Sequence, residues 1–290
     1  MENKQTKGLK RNTIDKYYTK NTIVDLCLTL IQKYLNIGEQ DLCIEPSAGN
    51  GAFISGIKRL FKNYIFYDLE PENTEIIKQD YLTHKHTDYT NNIHIIGNPP
   101  FGRQSSLAIK FIKKSCQFCN SISFILPKSF KKDSLKEKFP RNFHLLFETD
   151  LPENSFLVDG IEHNVPCVFQ IWEKKTYNRV LVDKLEPINF IFVDKTNKPD
   201  ISFRRVGVNA GTIDINIDMK SIQSHYFIKF TNKKHIQENI NQLSKIVYEF
   251  NNTVGPKSIS KQELIFKFNP FLKPISMLFL INRILCETNY

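Results

Sequence analysis

The stretch IIGNPPFG (residues 95–102) places an amide side chain and two prolines directly after an apolar run that reads as a buried strand. Proline lacks a backbone donor and drives its predecessor out of the helical region, so Asn98, Pro99 and Pro100 form a stiff extended turn. Such a turn can hold an acceptor group still. Upstream, DLCIEPSAGNGAF (41–53) sets Gly49 and Gly51 between a strand and a helix, where the missing side chains let the backbone approach a ligand closely. A dinucleotide fingerprint needs a third glycine at position 54, which is Ile54, so a nicotinamide cofactor is disfavoured. Glu45, with Pro46 and Ser47 just ahead of the loop, can meet the positive amino or sulfonium end of a cofactor. Asp68 ends NYIFYD and can accept both hydroxyls of a ribose. Asp80, followed by Tyr81, can receive an adenine amino group and flank its ring. Each acid taken alone is more often a turn former or a helix cap than a ligand. The argument lies in their succession: loop, acid, acid and stiff turn at four successive strand ends.

The elements that must position these residues follow from periodicity. NTIVDLCLTLIQKYL (21–35) spaces its apolar residues as a helix, with Asn21 or Thr22 as its cap. A strand at 42–44, a helix in AFISGIKRLF, strands in NYIFYD and NIHIIG, and a helix in SSLAIKFIKKSC come next. SISFILP, FHLLFE and NVPCVFQIW read as further strands. Strands alternating with helices predict a mostly parallel sheet covered on both faces, with ligands at the carboxyl ends of its strands. Residues 1–20 carry six Lys/Arg against two Asp/Glu and read as a basic arm before a domain spanning 21–175. Residues 176–290 hold 16 Lys/Arg and 10 Asp/Glu, with short strands in INFIFVD, ISFRRVGV, GTIDINI and HYFIKF and a helix in KHIQENINQLSKIVYEF. This stretch reads as a second, smaller and basic α+β domain.

Composition narrows the class. A chain of 290 residues with 41% hydrophobic and 12% aromatic residues packs a globular core, and a net charge of +10 fits a polyanionic partner. The N-terminal segment has no apolar leader, and no run approaches the roughly 18 apolar residues of a membrane span. An intracellular protein is expected, cytoplasmic or, in a eukaryotic host, nuclear, with no membrane partner. Cysteines at 27, 43, 116, 119, 167 and 286 make no disulfide framework. The pair Cys116 and Cys119 has no second ligand pair at zinc spacing, so no metal is expected.

EPSAGNGAF, YDLEP, QDY and NPPF, in that order, resemble the S-adenosylmethionine-dependent methyltransferases that modify exocyclic or planar amide nitrogens, especially the adenine-N6 enzymes. The resemblance covers roughly residues 15–175, and the motif order matches the arrangement called gamma. It implies a Rossmann-like, mostly parallel sheet of seven strands and S-adenosylmethionine as cofactor. The cofactor would be held by Tyr18, Thr19, Glu45, Pro46, Ser47, Gly49, Gly51, Asp68, Asp80 and Tyr81. Asn98, Pro99, Pro100 and Phe101 would carry catalysis. An exocyclic amine is a poor nucleophile because its lone pair is delocalised into the ring. The Asn98 side-chain oxygen and the Pro99 carbonyl would accept its two N–H bonds and favour a pyramidal nitrogen. Phe101, where the family more often has tyrosine, would stack on a base released from its helix.

Adenine N6 in DNA is the expected target, with RNA adenine N6 or guanine N2, or a catalytically silent nucleic-acid-binding subunit, as alternatives. Relatives acting on release-factor glutamine carry a helical domain before the glycine loop, whereas about forty residues precede it here. Lys128, after FILP, and Arg204 and Arg205, beside Gly207, are candidate nucleic-acid contacts. Asn154 to Phe156 would form part of the rim. A monomer is the expected state.

Overall fold

The structure is a computed structural model that describes residues 17–85, 91–181, 183–248 and 257–272. The chain divides into two compact units, Met1–Val180 and Leu181–Tyr290. The first runs past the compositional boundary at 175 because Arg179 belongs to it. Its guanidinium donates to the carbonyls of Lys136, Phe139, Pro140 and Phe143 and lies 5.3 Å from the centre of the Trp172 ring.

In chain order the first unit contains β1 (Tyr18–Thr19), α1 (Asn21–Tyr34), β2 (Leu42–Glu45), α2 (Ile54–Leu60), β3 (Asn63–Asp68), β4 (Ile77–Lys78) and β5 (Ile93–Gly97). It continues with α3 (Ser106–Ser115), β6 (Ser121–Pro127), α4 (Asp133–Lys136), β7 (Phe143–Asp150), β8 (Phe156–Val158), β9 (Ile161–His163) and β10 (Cys167–Lys174). Seven of these strands form one sheet in the order β4-β3-β2-β5-β6-β10-β7. β4 through β6 pair in parallel, and β10 runs antiparallel to both β6 and β7. This is the expected Rossmann-like sheet. The order turns back between β2 and β5, the switch point where open α/β sheets leave a crevice beyond their strand ends.

Alternation along the strands divides the core between the two faces. Cys43, Phe66, Ile96, Ile125 and Phe169 pack on one side with Ile23, Cys27 and Ile31 of α1 and Ile57 of α2. Leu42, Ile44, Ile95, Ile122, Phe124 and Val168 pack on the other with Ala108, Phe111 and Ile112 of α3. Burial on both faces explains why the central strands read as continuous apolar runs. Lys20 precedes α1, Asn21 is its first residue, and no side chain caps it. The cap expected at Asn21 or Thr22 is therefore absent, because the chain enters the helix directly from β1.

Part of the predicted basic arm, residues 1–16, lies outside the described residues; at its end Tyr18 and Thr19 pair with Leu157 and Phe156 of β8. β8 turns through β9 to make a three-stranded sheet, β1-β8-β9. Of the segment expected as rim, Phe156 opens β8, while Asn154, in a turn at φ +56°, and Ser155 lead into it.

The second unit contains β11 (Phe190–Val193), β12 (Ile201–Arg204), β13 (Ile213–Asp214), β14 (His225–Phe230), α5 (Ile236–Leu243) and α6 (Lys261–Leu272). Its strands form an antiparallel sheet, β11-β14-β12-β13, as an α+β domain requires. Phe190, Ile201, Phe203, Ile228 and Phe230 of the sheet pack with Leu243 of α5 and Leu264 and Phe268 of α6. The helix expected over 234–250 is shorter, since Ser244 turns its hydroxyl back onto Ile240 O and the helix ends at Leu243. α6, which carries Pro270 near its end, was not expected. Its start is a capping box: Ser260 Oγ accepts from Glu263 N at 3.2 Å and Glu263 Oε2 from Ser260 N at 2.6 Å.

Candidate active site

A cavity of about 470 Å³ opens at the carboxyl ends of β2, β3 and β5. Each wall comes from one of the strand-end segments. β2 delivers Glu45, Pro46, Ser47 and Gly49, β3 delivers Asp68, the segment after β4 delivers Asp80 and Tyr81, and β5 delivers Asn98, Pro99, Pro100 and Phe101. Tyr17, Tyr18 and Thr19 close it from the N-terminal side.

Gly49 shapes the loop. It adopts φ +56°, and a side chain there would begin 3.4 Å from the Tyr18 ring. Its N–H donates to Asp68 Oδ2 at 2.8 Å, while Asp68 Oδ1 accepts from Glu70 N at 2.8 Å. One carboxylate thus ties the glycine loop to the turn after β3. Each of its oxygens retains acceptor capacity for a hydroxyl. Gly51 does not line the cavity; its N–H closes the loop onto Ala48 O at 2.7 Å. Asp80 Oδ1 accepts from Leu82 N at 2.9 Å, so it is a turn former as well as a lining residue. Tyr81 is buried, its hydroxyl lies 2.7 Å from Ser115 Oγ, and its ring stacks on Phe111. It supplies an apolar wall.

Glu45 is only 2% exposed, and its Oε2 has no hydrogen-bond partner. Gly97 makes room for it: a side chain at Gly97 would start 3.3 Å from Glu45 Cγ. Burial, reinforced by the negative charge of Asp68, pushes the Glu45 carboxyl up to about 8. Among the described lining residues Glu45, Asp68, Glu70, Glu72 and Asp80 are carboxylates, and none is Lys or Arg. Such a wall repels phosphates and suits a ligand with a cationic end.

Asn98 shows a second surplus. Its Nδ2 donates to Tyr17 O at 3.1 Å and Thr19 Oγ1 at 3.3 Å, and Ser47 Oγ donates to its backbone carbonyl at 3.3 Å. Its Oδ1 is buried and has no hydrogen-bond partner. Behind it the turn is pinned to α3, since Phe101 O accepts from Leu107 N at 3.1 Å and Ala108 N at 3.3 Å. Phe101 is half-buried and packs against both faces of the core. Tyr17 and Glu72, which accepts a hydrogen bond from the Tyr18 hydroxyl, carried no signal of their own in the sequence. Only their proximity to YT and to YDLEP hinted at them.

Three candidates stand elsewhere. Lys128 does not line the cavity; with Lys131 it holds Asp150, at 2.8 and 2.9 Å. Burial works to raise the Asp150 carboxyl, and the hydrogen bonds of the two lysines outweigh it and hold it low. Arg204 and Arg205 belong to the second unit, where Arg204 Nε donates to Val206 O and Arg205 donates to Gln223 O and lies over Tyr226. Cys116 and Cys119 are buried thiols pushed up by burial, Cys116 to about 12. Among the described residues, no His, Cys, Asp or Glu cluster is placed to hold a metal ion, and no helix is long and apolar enough to cross a membrane.

Residues 51–181 match the EDM2 methyltransferase-like domain, a span that includes Asp68, Asp80 and the NPPF turn. No curated protein sequence matches the chain. Solved structures similar to it include PH1948 of Pyrococcus horikoshii, assigned as an RNA methyltransferase, at 16% identity over 58% of this chain and 92% of that one, with a TM-score of 0.44. Another is lmo1582 of Listeria monocytogenes, assigned as a class I S-adenosylmethionine-dependent methyltransferase, at 14% identity over 58% and 64%, TM-score 0.43. The 23S rRNA methyltransferase ErmE aligns at 10% identity over 58% and 72%, TM-score 0.42.

Proposed function

We propose that this chain transfers a methyl group from S-adenosylmethionine to an exocyclic amine of a nucleic-acid base, adenine N6 in DNA being the first substrate and RNA the second. The observation that carries this reading is the buried, unpartnered Oδ1 of Asn98, held on a proline-stiffened turn in the wall of the cavity. A buried acceptor without a donor is costly, by about 1–3 kcal/mol, and is kept where a ligand supplies the missing proton.

The cofactor fits the cavity on three counts. The loop turns at Gly49 through φ +56°, a conformation that disfavours a side chain, and so brings bare backbone to the cavity. The lining carboxylates favour a cation, and the ionised Glu45 offers its unused Oε2 as an acceptor to an ammonium and its charge to a sulfonium. Asp68 stands where hydroxyls of a ribose can reach it, with Tyr81 as an apolar wall for a base. When bound, S-adenosylmethionine supplies an electrophilic methyl group on a sulfonium centre.

The chain's own part is orientation. Asn98 Oδ1 accepts one N–H of the target amine, and the Pro99 carbonyl the other. Both acceptors are fixed before the substrate arrives, so no reorganisation is needed as positive charge develops on the nitrogen. Phe101 stacks on the ring and holds the amine in line. The basic second unit docks the nucleic acid, with Arg204 and Arg205 among its contacts. Both guanidinium groups are held by carbonyls, which do not cancel their charge.

The test is incubation of the purified chain with methyl-labelled donor and separate pools of duplex DNA, single-stranded DNA, RNA and protein, followed by identification of the labelled nucleoside. Label in N6-methyladenine from DNA is the expected outcome. Label only in protein overturns the proposal, and donor binding without transfer to any pool assigns the chain as a silent subunit.

A further inference from the structure

We propose that Thr19 is a positioning residue for Asn98: its hydroxyl and the neighbouring Tyr17 carbonyl hold the Asn98 amide in the one orientation that turns an acceptor toward the substrate nitrogen. The inference rests on the role of Asn98 proposed above. It assigns Thr19 to the acceptor side of the reaction rather than to the cofactor.

The argument begins with the proton count of an amide. Asn98 Nδ2 has two protons, and the strand residues take both, Tyr17 O at 3.1 Å and Thr19 Oγ1 at 3.3 Å. A backbone carbonyl can only accept. Turning the amide over would set Asn98 Oδ1 against Tyr17 O, two acceptors face to face, and would point N–H groups into the cavity. A substrate amine, which presents its own N–H bonds, would then find no acceptor. The Tyr17 and Thr19 contacts therefore select the state in which Oδ1 is the unpartnered atom.

What holds those two residues comes from a distant part of the sequence. Thr19 pairs with Phe156 and Tyr18 with Leu157, Lys20 N donates to Ser155 O at 3.1 Å, and Lys20 forms an ion pair with Glu162. The Tyr17 ring meets Phe156 and His163 edge-on, each at 6.3 Å between centroids. Successive strand residues face opposite ways. Tyr18 accordingly lies by the glycine loop and bonds Glu72, while Thr19, 6% exposed, faces Asn98. A strand of two residues thus serves the glycine loop with one and the stiff turn with the next.

The experiment compares the full chain with Thr19→Val, Thr19→Ser, Asn98→Ala and the double variant Thr19→Val with Asn98→Ala. It measures kcat, donor KM and donor affinity by calorimetry. Thr19→Val is expected to lower kcat about fivefold to tenfold, the scale of one hydrogen bond, with donor affinity within about twofold. Thr19→Ser restores turnover. In the Asn98→Ala background Thr19→Val has no further effect, because a residue acting through another is silent once that other is gone. Full turnover in Thr19→Val, an effect that multiplies with Asn98→Ala, or a raised donor KM at unchanged kcat each overturns the inference. Proton exchange of the Asn98 side-chain amide, followed by NMR, gives a reading without turnover. Thr19→Val should accelerate it, and unchanged exchange refutes the positioning role. If the unaltered chain methylates no nucleic acid, the function proposed above fails by itself, and the exchange measurement still decides the role of Thr19.

Discussion

The two ends of the same strands bury polar side chains in opposite ways. At the amino ends of β2, β5 and β6, Asp41, His94 and Ser121 are each under 6% exposed. His94 Nε2 lies 3.0 Å from Asp41 Oδ2 and His94 Nδ1 lies 2.7 Å from Ser121 Oγ. Gly38 N and Asn92 Nδ2 also donate to Asp41, at 2.7 and 3.2 Å. At the carboxyl ends, Glu45 Oε2 and Asn98 Oδ1 are buried with no partner. Serine, histidine and aspartate are residue types that elsewhere perform hydrolysis, yet Asp41, His94 and Ser121 satisfy one another and none of the three lines the cavity. Residue type does not mark the reactive end. An unpartnered buried atom does not mark it alone either, since the Ser123 and Tyr248 hydroxyls also lack partners; the pair of unspent acceptors lining one cavity does.

The sharpest way to break this contrast is Asn98→Ala. Turnover should fall by about two to three powers of ten, comparable with loss of one preorganised group, while donor affinity by calorimetry stays within about twofold. Near-normal methylation would make the NPPF turn purely structural.

Asp41→Ala is the converse experiment. It strips His94 and the Gly38 N–H of a buried partner and should reduce unfolding free energy by about 2–3 kcal/mol, read from urea titration, with turnover of the folded fraction unchanged. Burial works to raise the Asp41 carboxyl, and hydrogen bonds from His94 and Gly38 outweigh it and hold it low. The stability it contributes is therefore present above its ordinary pKa of about 3.9 and is lost as pH falls through the lower folded value.

Glu45 has the opposite sign. Its folded value of about 8 exceeds the ordinary 4.5, so its contribution to stability is present below 4.5 and is lost as pH rises through about 8. A cationic donor binds the ionised form, so its affinity should rise by up to about tenfold per pH unit below pH 8 and then level off. Glu45→Gln should flatten that profile, weaken donor binding by about tenfold or more, and stabilise the ligand-free protein at alkaline pH. A wild-type profile flat from pH 6 to 9 would refute the assignment of Glu45 as the cation's partner.

The smallest effect is expected at Lys128. Its ion pair with Asp150 is partly solvated, so Lys128→Ala should change stability by less than about 1 kcal/mol and leave donor affinity as it was. A large loss of nucleic-acid binding in this variant would return Lys128 to the substrate site.

Much of this was legible in the residues. The ends of β2 and β5 announced themselves because strands buried on both faces read as short apolar runs that stop at polar, Gly or Pro residues. β3, exposed at its start, and β4, two exposed residues, showed only through the acids that end or follow them. The second unit's strands were legible from their β-branched and aromatic runs. β1, β8 and β9 were not, since two or three residues are too few to show a period, and their pairing joins residues 18–19 to 156–157. The orientation of Asn98 was hidden for the same reason. Lys128 looked available because its partner, Asp150, lies on another strand. α6 was not read, although SKQE, the capping box of Ser260 and Glu263, marks its start.

The placement of β10 bears on how the chain is made. A ribosome releases β6 and β7 before β10, yet β10 lies between them in the finished sheet and bonds to both. Until residue 174 has emerged, each of those strands keeps an open hydrogen-bonding edge, and Phe139 lacks the Trp172 ring that stacks on it 4.0 Å away. Arg179 then arrives as a latch on the four carbonyls just ahead of and at the start of β7. A polypeptide released after residue 175 would close its sheet but leave that latch undone, and one released after residue 166 would leave both edges bare and prone to pair with another nascent copy.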